Sequence, residues 1–167
     1  MLKLNVAEIK KKLVGEKTFS FSLSPQELEL SHEDLPLVGE IQVEGRISNG
    51  GDVLLLAAEI SGQVQRQCGR CLKEFIAPTH ATVDERFYPS TTENLPKDAL
   101  TYQFDVVDIT EALREGLLLA EPISVLCKAE CKGICPKCGA DRNVTACNCD
   151  TRTIDPRLSA LEALLNK

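Results

Sequence analysis

Tryptophan is absent from this chain of 167 residues, which carries only two Tyr and five Phe. Any core must therefore be aliphatic, packed from runs such as Val53–Ala58 and Leu117–Ala120. Long apolar stretches are missing too, since both runs fall far short of the roughly 20 residues that a membrane-spanning helix needs. Met1 to Ile9 alternates polar and apolar residues, with neither the apolar stretch nor the small-residue cleavage site of a secretion signal. It is also unlike the Arg- and Ser-rich segment of an organelle transit peptide. A soluble, cytoplasmic protein is the expectation. Catalytic signatures are equally scarce. There is no P-loop, no GxGxxG, no Ser or Cys in a nucleophile context, and no carboxylate pairing suited to acid–base work. His32 and His80 stand isolated and read as ordinary surface or half-buried residues. No enzyme is expected.

What the chain does have is cysteine. Eight fall into four pairs of chelating spacing: Cys68-x2-Cys71, Cys127-x3-Cys131, Cys135-x2-Cys138 and Cys147-x-Cys149. Eight thiolates divide evenly into two tetrahedral sulfur sites, the arrangement that structural zinc prefers. A reducing cytosol favours ligated thiols over disulfides, so two Zn(2+) ions explain the count better than cross-links do. Cys135-Pro-Lys-Cys138-Gly139 is the strongest motif, because the glycine accepts the positive φ of a zinc knuckle. Only three residues separate Cys131 from Cys135, leaving little room for the chain to face itself, whereas the longer stretch from Cys138 to Cys147 permits a turn. Chain geometry thus favours a local, zinc ribbon-like site of Cys135, Cys138, Cys147 and Cys149. The second site then joins Cys68 and Cys71 to Cys127 and Cys131.

Two other readings of these cysteines carry less. Cys131-x3-Cys135-x2-Cys138 matches the cluster spacing of radical S-adenosylmethionine enzymes, yet too little chain follows it to build the required barrel. Cys68-Gly-Arg-Cys71 resembles a thioredoxin-type redox pair, but such a pair opens a helix and the residues after Cys71 read as strand. A thiol redox or metal-handling protein remains the alternative from another class. A zinc-stabilised interaction adaptor is the third.

Apolar residues make up 43% of the chain, enough for a real core, and the formal net charge is −6. Residues 1–124 hold 12 Lys/Arg against 20 Asp/Glu, while residues 125–167 hold 7 against 5. Four thiolates around each divalent ion would add about −2 per site. The cations among the cysteines, Arg66, Arg70, Lys73, Lys128, Lys132, Lys137 and Arg142, can offset that charge or offer a local contact surface for phosphate. The acidic whole argues against tight, unaided binding to nucleic acid.

The expected fold class is α+β, mainly an antiparallel sheet with two or three helices and a Cys-rich, zinc-binding C-terminal module. Residues 1–126 form the mainly β part and residues 127–167 the zinc module, packed together as one folding unit. Val6, Ile9 and Leu13 at helical spacing suggest a helix over Lys3–Val14, with Lys10–Lys12 on a solvated face. Thr18–Leu23 alternates as a strand until Ser24-Pro25 breaks it. Glu40–Ser48 and Val53–Ile60 flank Asn49-Gly50-Gly51, a hairpin signal. Cys68 and Cys71 then sit on a turn between that strand and a strand within Leu72–Phe87, and residues 89–101 read as an exposed loop. Asp108 with Glu111 resembles a capping box for a helix striped by Ile109, Leu113, Leu117 and Ala120. Glu121-Pro122 stops that helix. Asp155-Pro156 opens a last helix, Pro156–Leu165. Between them, residues 127–149 carry almost no apolar side chain beyond Ile134 and Val144, so bound metal must supply the missing folding free energy.

The pattern resembles the YceD-like family, the large ribosomal RNA subunit accumulation proteins. The matching residues are Cys68-x-Arg70-Cys71-Leu72 with Phe75, then Cys131-Lys-Gly133-Ile134-Cys135-Pro136-x-Cys138-Gly139-x-Asp141-x-Asn143, Cys147-x-Cys149 and the Asp155-Pro156-Arg157-Leu158 helix start. Ile134 and Arg142 stand where that family more often has Leu. The resemblance implies a non-enzymatic factor in large ribosomal subunit biogenesis, supporting synthesis, processing or accumulation of large-subunit ribosomal RNA. Its expected partner is a ribosomal protein or a pre-ribosomal RNA–protein particle. Arg70, Lys132, Lys137 and Arg142 are the candidate contacts with RNA or that partner.

Overall fold

The computed structural model describes residues 1–12 and 14–150, so the expected helix Pro156–Leu165 and the side chain of Leu13 lie outside the described residues. Strands β1 (Lys3–Asn5) and β2 (Glu16–Leu23) flank a single helical turn, α1 (Ala7–Lys10). A 3-10 turn at Pro25–Leu28 leads to the long strands β3 (Leu37–Asn49), β4 (Leu54–Gln67) and β5 (Glu74–Pro89). Short strands β6 (Leu100–Tyr102) and β7 (Val106–Asp108) precede helix α2 (Thr110–Leu119). Five strands form one sheet in the order β2-β3-β4-β5-β6, and β1 pairs with β7 in a separate ribbon. The sheet is mixed: β2–β3 and β3–β4 run antiparallel, while β5–β6 is parallel. Among the described residues there are two α-helices, and no helix is long and apolar enough to cross a membrane.

Two compact units emerge, Met1–Arg66 with Phe75–Ile123, and Gln67–Glu74 with Ser124 onward. The first is organised by side-chain alternation. Ile41, Val43 and Ile47 of β3 lie on one face with Leu54, Leu56, Ala58, Ile60 and Val64 of β4 and Ala81, Val83 and Phe87 of β5, and all are buried. Leu28, Ile109, Leu113 and Leu117 join the same cluster, which is aliphatic apart from Phe87 and Tyr102. Phe19 and Phe21 of β2 stack against each other with centroids 5.3 Å apart, partly buried at the sheet's edge.

The hairpin turn at Asn49-Gly50-Gly51 is present, with Asn49 opposite Leu54, Gly51 at φ +93° and its amide donating to Asn49 Oδ1 at 2.9 Å. Both strands run further than their apolar alternation suggested, because a bulge between Val38 and Gln42, with Gly39 at φ +77°, resets the register. Ser24 and Glu27 close the 3-10 turn, the carboxylate accepting from the Ser24 amide and hydroxyl at 2.8 and 2.9 Å.

Several local expectations are corrected. Lys3–Val14 is helical only over Ala7–Lys10, because Leu4 pairs with Val107 in the β1–β7 ribbon and a long-range ladder overrides local spacing. Residues 89–101 are not wholly a loop, since Leu100–Tyr102 adds a parallel edge beside Phe87–Pro89. Ile109, not Asp108, occupies the N-cap position of α2. Asp108 still serves the helix start, accepting from the Thr110 amide at 3.1 Å and the Thr110 hydroxyl at 2.6 Å. Ala112 replaces Ala120 in the buried stripe. Lys10 is also no simple solvated residue: it donates to the Phe104 carbonyl and to Asp105 Oδ1, each at 2.9 Å.

Helix α2 approaches the sheet where it lacks a side chain. A Cβ built at Gly116 would stand 2.4 Å from Val83 Cγ2. Alanine gains about 1 kcal/mol of helix propensity over glycine, but overpacking a stiff β-branched neighbour costs about 1–3 kcal/mol. Gly116→Ala is therefore expected to lower stability in urea unfolding, and Val83→Ala in the same chain to recover much of the loss. A stabilised single mutant would contradict this packing.

Candidate metal centres

Cys68-Gly-Arg-Cys71 and Cys135-Pro-Lys-Cys138 fold into the same turn. In the first, the Leu72 amide donates to the Cys68 carbonyl and the Cys68 amide to the Lys73 carbonyl, both at 2.9 Å. In the second, Gly139 donates to Cys135 and Cys135 to Ala140, again at 2.9 Å. The residue after the second cysteine takes a positive φ in each, +72° at Gly139 and +59° at Leu72. Glycine accepts this freely, whereas an L side chain there costs roughly 1–2 kcal/mol.

These turns aim amides at the first sulfur. The Cys127 amide, with those of Cys71 and Arg70, draws the Cys68 thiol down to about 6. The amides of Cys138 and Lys137 do the same for Cys135, also to about 6. Opposite them, burial and the neighbouring Cys71 sulfur push Cys127 up to about 12. Hydrogen bonds with Cys138 and Cys135 push Cys149 up to about 12. Each group thus mixes thiols drawn down, Cys68 and Cys131 in the first and Cys135 in the second, with thiols pushed up, a conflict a divalent cation would remove by taking the place of protons.

The eight sulfurs gather into two groups. Cys68, Cys71, Cys127 and Cys131 form one, and Cys135, Cys138, Cys147 and Cys149 the other, with the Sγ atoms of each group all within 4.8 Å of one another. This is the grouping that the chain spacing favoured. Cys131 stands apart from Cys135 and Cys138, so the spacing shared with radical enzymes corresponds to no common site. The Sγ atoms of Cys68 and Cys131 are 3.8 Å apart, and those of Cys71 and Cys127 are 3.6 Å apart. A tetrahedron with metal–sulfur bonds of about 2.3 Å has edges of about 3.8 Å, whereas a disulfide needs about 2.05 Å. The donor set therefore fits a metal ion in each group. The first group is the more enclosed, with Cys68 and Cys131 buried, while Cys138 of the second is exposed.

The candidate contact residues separate into different roles. Lys132, Lys137 and Arg142 are exposed, and Lys73 and Lys128 are exposed as well. Arg70 instead braces the first group: its guanidinium donates to the Cys131 carbonyl at 2.9 Å and its own carbonyl accepts from the Ile134 amide at 3.0 Å. Gly133, at φ +70°, permits that approach, since a Cβ there would lie 2.9 Å from the Arg70 carbonyl oxygen. Arg66 is held elsewhere, in an ion pair with Glu121 at 2.8 Å.

Sequence reasoning placed Asn143 in the motif that carries the family resemblance and missed its structural role. Its Nδ2 lies 3.5 Å from Cys131 Sγ and donates to Asp141 Oδ1 at 2.7 Å, and its Oδ1 accepts from the Lys132 amide at 2.9 Å. An amide three residues beyond a turn carries no signature that it will reach back to a sulfur of the other group. The Asn143 amides, backbone first, hold the Asp141 carboxyl below the usual carboxylate range, with Lys128 and Lys73 close enough to assist. The loop between Cys138 and Cys147 thereby supports the first group while supplying its own ligands to the second.

A sheet protein bearing two four-cysteine groups able to hold metal ions is the class these features define. Residues 56–165, which include all eight cysteines, match the family described as large ribosomal RNA subunit accumulation protein YceD, and the chain belongs to that family. The uncharacterized protein YlbN of Bacillus subtilis is 28% identical over 151 residues, covering 89% of this chain and 88% of its own. An uncharacterized Mycobacterium leprae protein is 23% identical over 103 residues, or 59% of this chain and 48% of its own length. A Mycobacterium tuberculosis relative is 24% identical over the same length, so the chain spans about half of these mycobacterial proteins. No solved structure matches.

Asn143→Ala should weaken metal at the first group about 10–100-fold, measured by chelator competition on a variant lacking Cys135 and Cys138. Unchanged affinity would show that the amide does not support Cys131. Replacing Cys68 and Cys71 by serine should reduce bound metal from two equivalents to one by elemental analysis; retention of both would contradict the grouping.

Proposed function

We propose that this chain is a non-enzymatic zinc-binding factor in large ribosomal subunit biogenesis, acting in the cytoplasm to support synthesis, processing or accumulation of large-subunit ribosomal RNA. The family match across residues 56–165 carries this reading, because it takes in both cysteine groups and bears the description of ribosomal RNA accumulation. Zinc is the ion assigned to each group. It favours tetrahedral thiolate sites, has no redox chemistry, and supplies folding free energy to small segments without a core. With all four sulfurs ligating, neither site keeps the open position that a catalytic zinc needs. A ribosomal protein or a pre-ribosomal RNA–protein particle is the partner. The acidic balance of residues 1–124 suits basic ribosomal proteins, and the exposed Lys132, Lys137 and Arg142 suit an RNA–protein surface.

Depletion of the protein in its host should lower large-subunit ribosomal RNA relative to small-subunit RNA, and the tagged protein should co-sediment with pre-ribosomal particles. Unaltered RNA together with an absence of co-sedimentation would remove this reading.

A further inference from the structure

Strand β5 has a side without a partner. β4 flanks it along one edge, while β6 pairs with it only at Phe87–Pro89. Among the described residues no other strand neighbours Phe75–Arg86 on that side, and no loop or turn backbone hydrogen-bonds to it. Pro78 lies within this stretch, and proline is tolerated inside a sheet mainly at an edge.

A groove follows the unpaired stretch. Every residue from His80 to Glu85 lines it. Successive side chains of a strand point to opposite faces, so consecutive residues share one hollow only at the strand's edge. The opposite wall is one side of α2, where Ala112, Gly116, Leu119 and Ala120 recur at helical spacing. That wall is apolar and close: Gly116 lets the helix reach Val83, and Leu119 is 86% exposed beside it. Asp84, Glu85 and Glu115 rim the groove, are exposed, and make no ion pair among the described residues. Arg86 follows Glu85 in the chain but does not line the groove, and His80 lies 3.9 Å from Glu59. The rim is therefore negative.

Unpaired backbone groups beside an apolar groove are the features that take up an added strand. We infer that a basic, extended segment of a protein partner pairs its backbone with the free edge of β5. It seats apolar side chains against α2 while its Lys or Arg residues meet Asp84, Glu85 and Glu115. A second copy of this chain would bring a second set of carboxylates to the same rim, and like charges across a strand pair repel. Nucleic acid would meet the rim with phosphates and has no strand backbone to offer. The inference deepens the function proposed above by naming the surface that receives a basic protein. It rests on that reading only for the partner's source.

The test uses the full metal-loaded chain and a labelled peptide of about eight residues alternating lysine and valine, followed by fluorescence anisotropy at low salt. This peptide should bind, and one alternating glutamate and valine should not. N-methylation throughout the probe, which removes its N–H donors and keeps its charge, should weaken binding roughly tenfold. Changing Glu85 and Glu115 together to Gln should weaken it roughly fivefold with the melting temperature unchanged. Hydrogen exchange should slow at β5 amides within His80–Arg86 when the peptide is bound, and stay unchanged at β2, the far edge of the sheet. Failure of the peptide to bind, or equal binding by the methylated probe or the double variant, overturns the docking site. So does protection at β2 in place of β5, or self-association of the free chain that protects β5. Ribosomal RNA loss on depletion without peptide binding removes this site alone. Peptide binding without such loss removes the proposed function alone.

Discussion

The gathering of eight sulfurs into two groups of four, each able to hold a metal ion, is the constraint on which the cysteine-rich unit depends. From Ser124 to Asp150 the only buried apolar side chains are those of Cys131 and Cys135, so no aliphatic cluster exists there to drive collapse. Hydrogen bonds of Arg70 with Ile134, of Gly133 with Arg142 and of Asp141 with Asn143 define how this segment folds, but each contributes only about 1 kcal/mol net. Ordering a residue's backbone costs about as much or more. The sulfur groups decide the balance. Their four donors lie at spacings suited to a tetrahedral ion, and their protonation preferences conflict until an ion replaces the protons.

The other unit follows a different logic. Leucine, isoleucine and valine from β3, β4 and β5 build a contiguous core with α2, and glycine at 116 lets the helix approach Val83. This unit needs no metal to bury its apolar surface. One chain thus combines a sheet stabilised by hydrophobic burial with a polar segment gathered around two four-cysteine groups able to hold metal ions.

Much of this could be read from the residues where the governing signal is short-ranged. Asn49-Gly50-Gly51 announced its hairpin, and the spacing from Cys127 to Cys149 announced how the sulfurs group. The N-terminal segment misled because the partner of Leu4 is Val107, and no local window contains that information. Strand β6 is too short to show alternation, and its parallel pairing depends on where β5 ends. Leu72 adopts the left-handed turn that Gly139 advertises, but without the glycine that would have revealed it. The reach of Asn143 to Cys131, and the bracing of Phe104 by Lys10, are contacts between separate segments that composition and periodicity do not encode.

The central claim, that bound metal shapes residues 67–74 and 124–150 while the sheet stands on burial, is tested most directly by hydrogen exchange before and after metal removal under reducing conditions. The account predicts that amides such as Gly139, Cys135 and Arg142 lose their protection when metal content falls to zero, while those of β3 and β4 keep theirs. Unchanged protection around the cysteines in protein verified to be metal-free would contradict it.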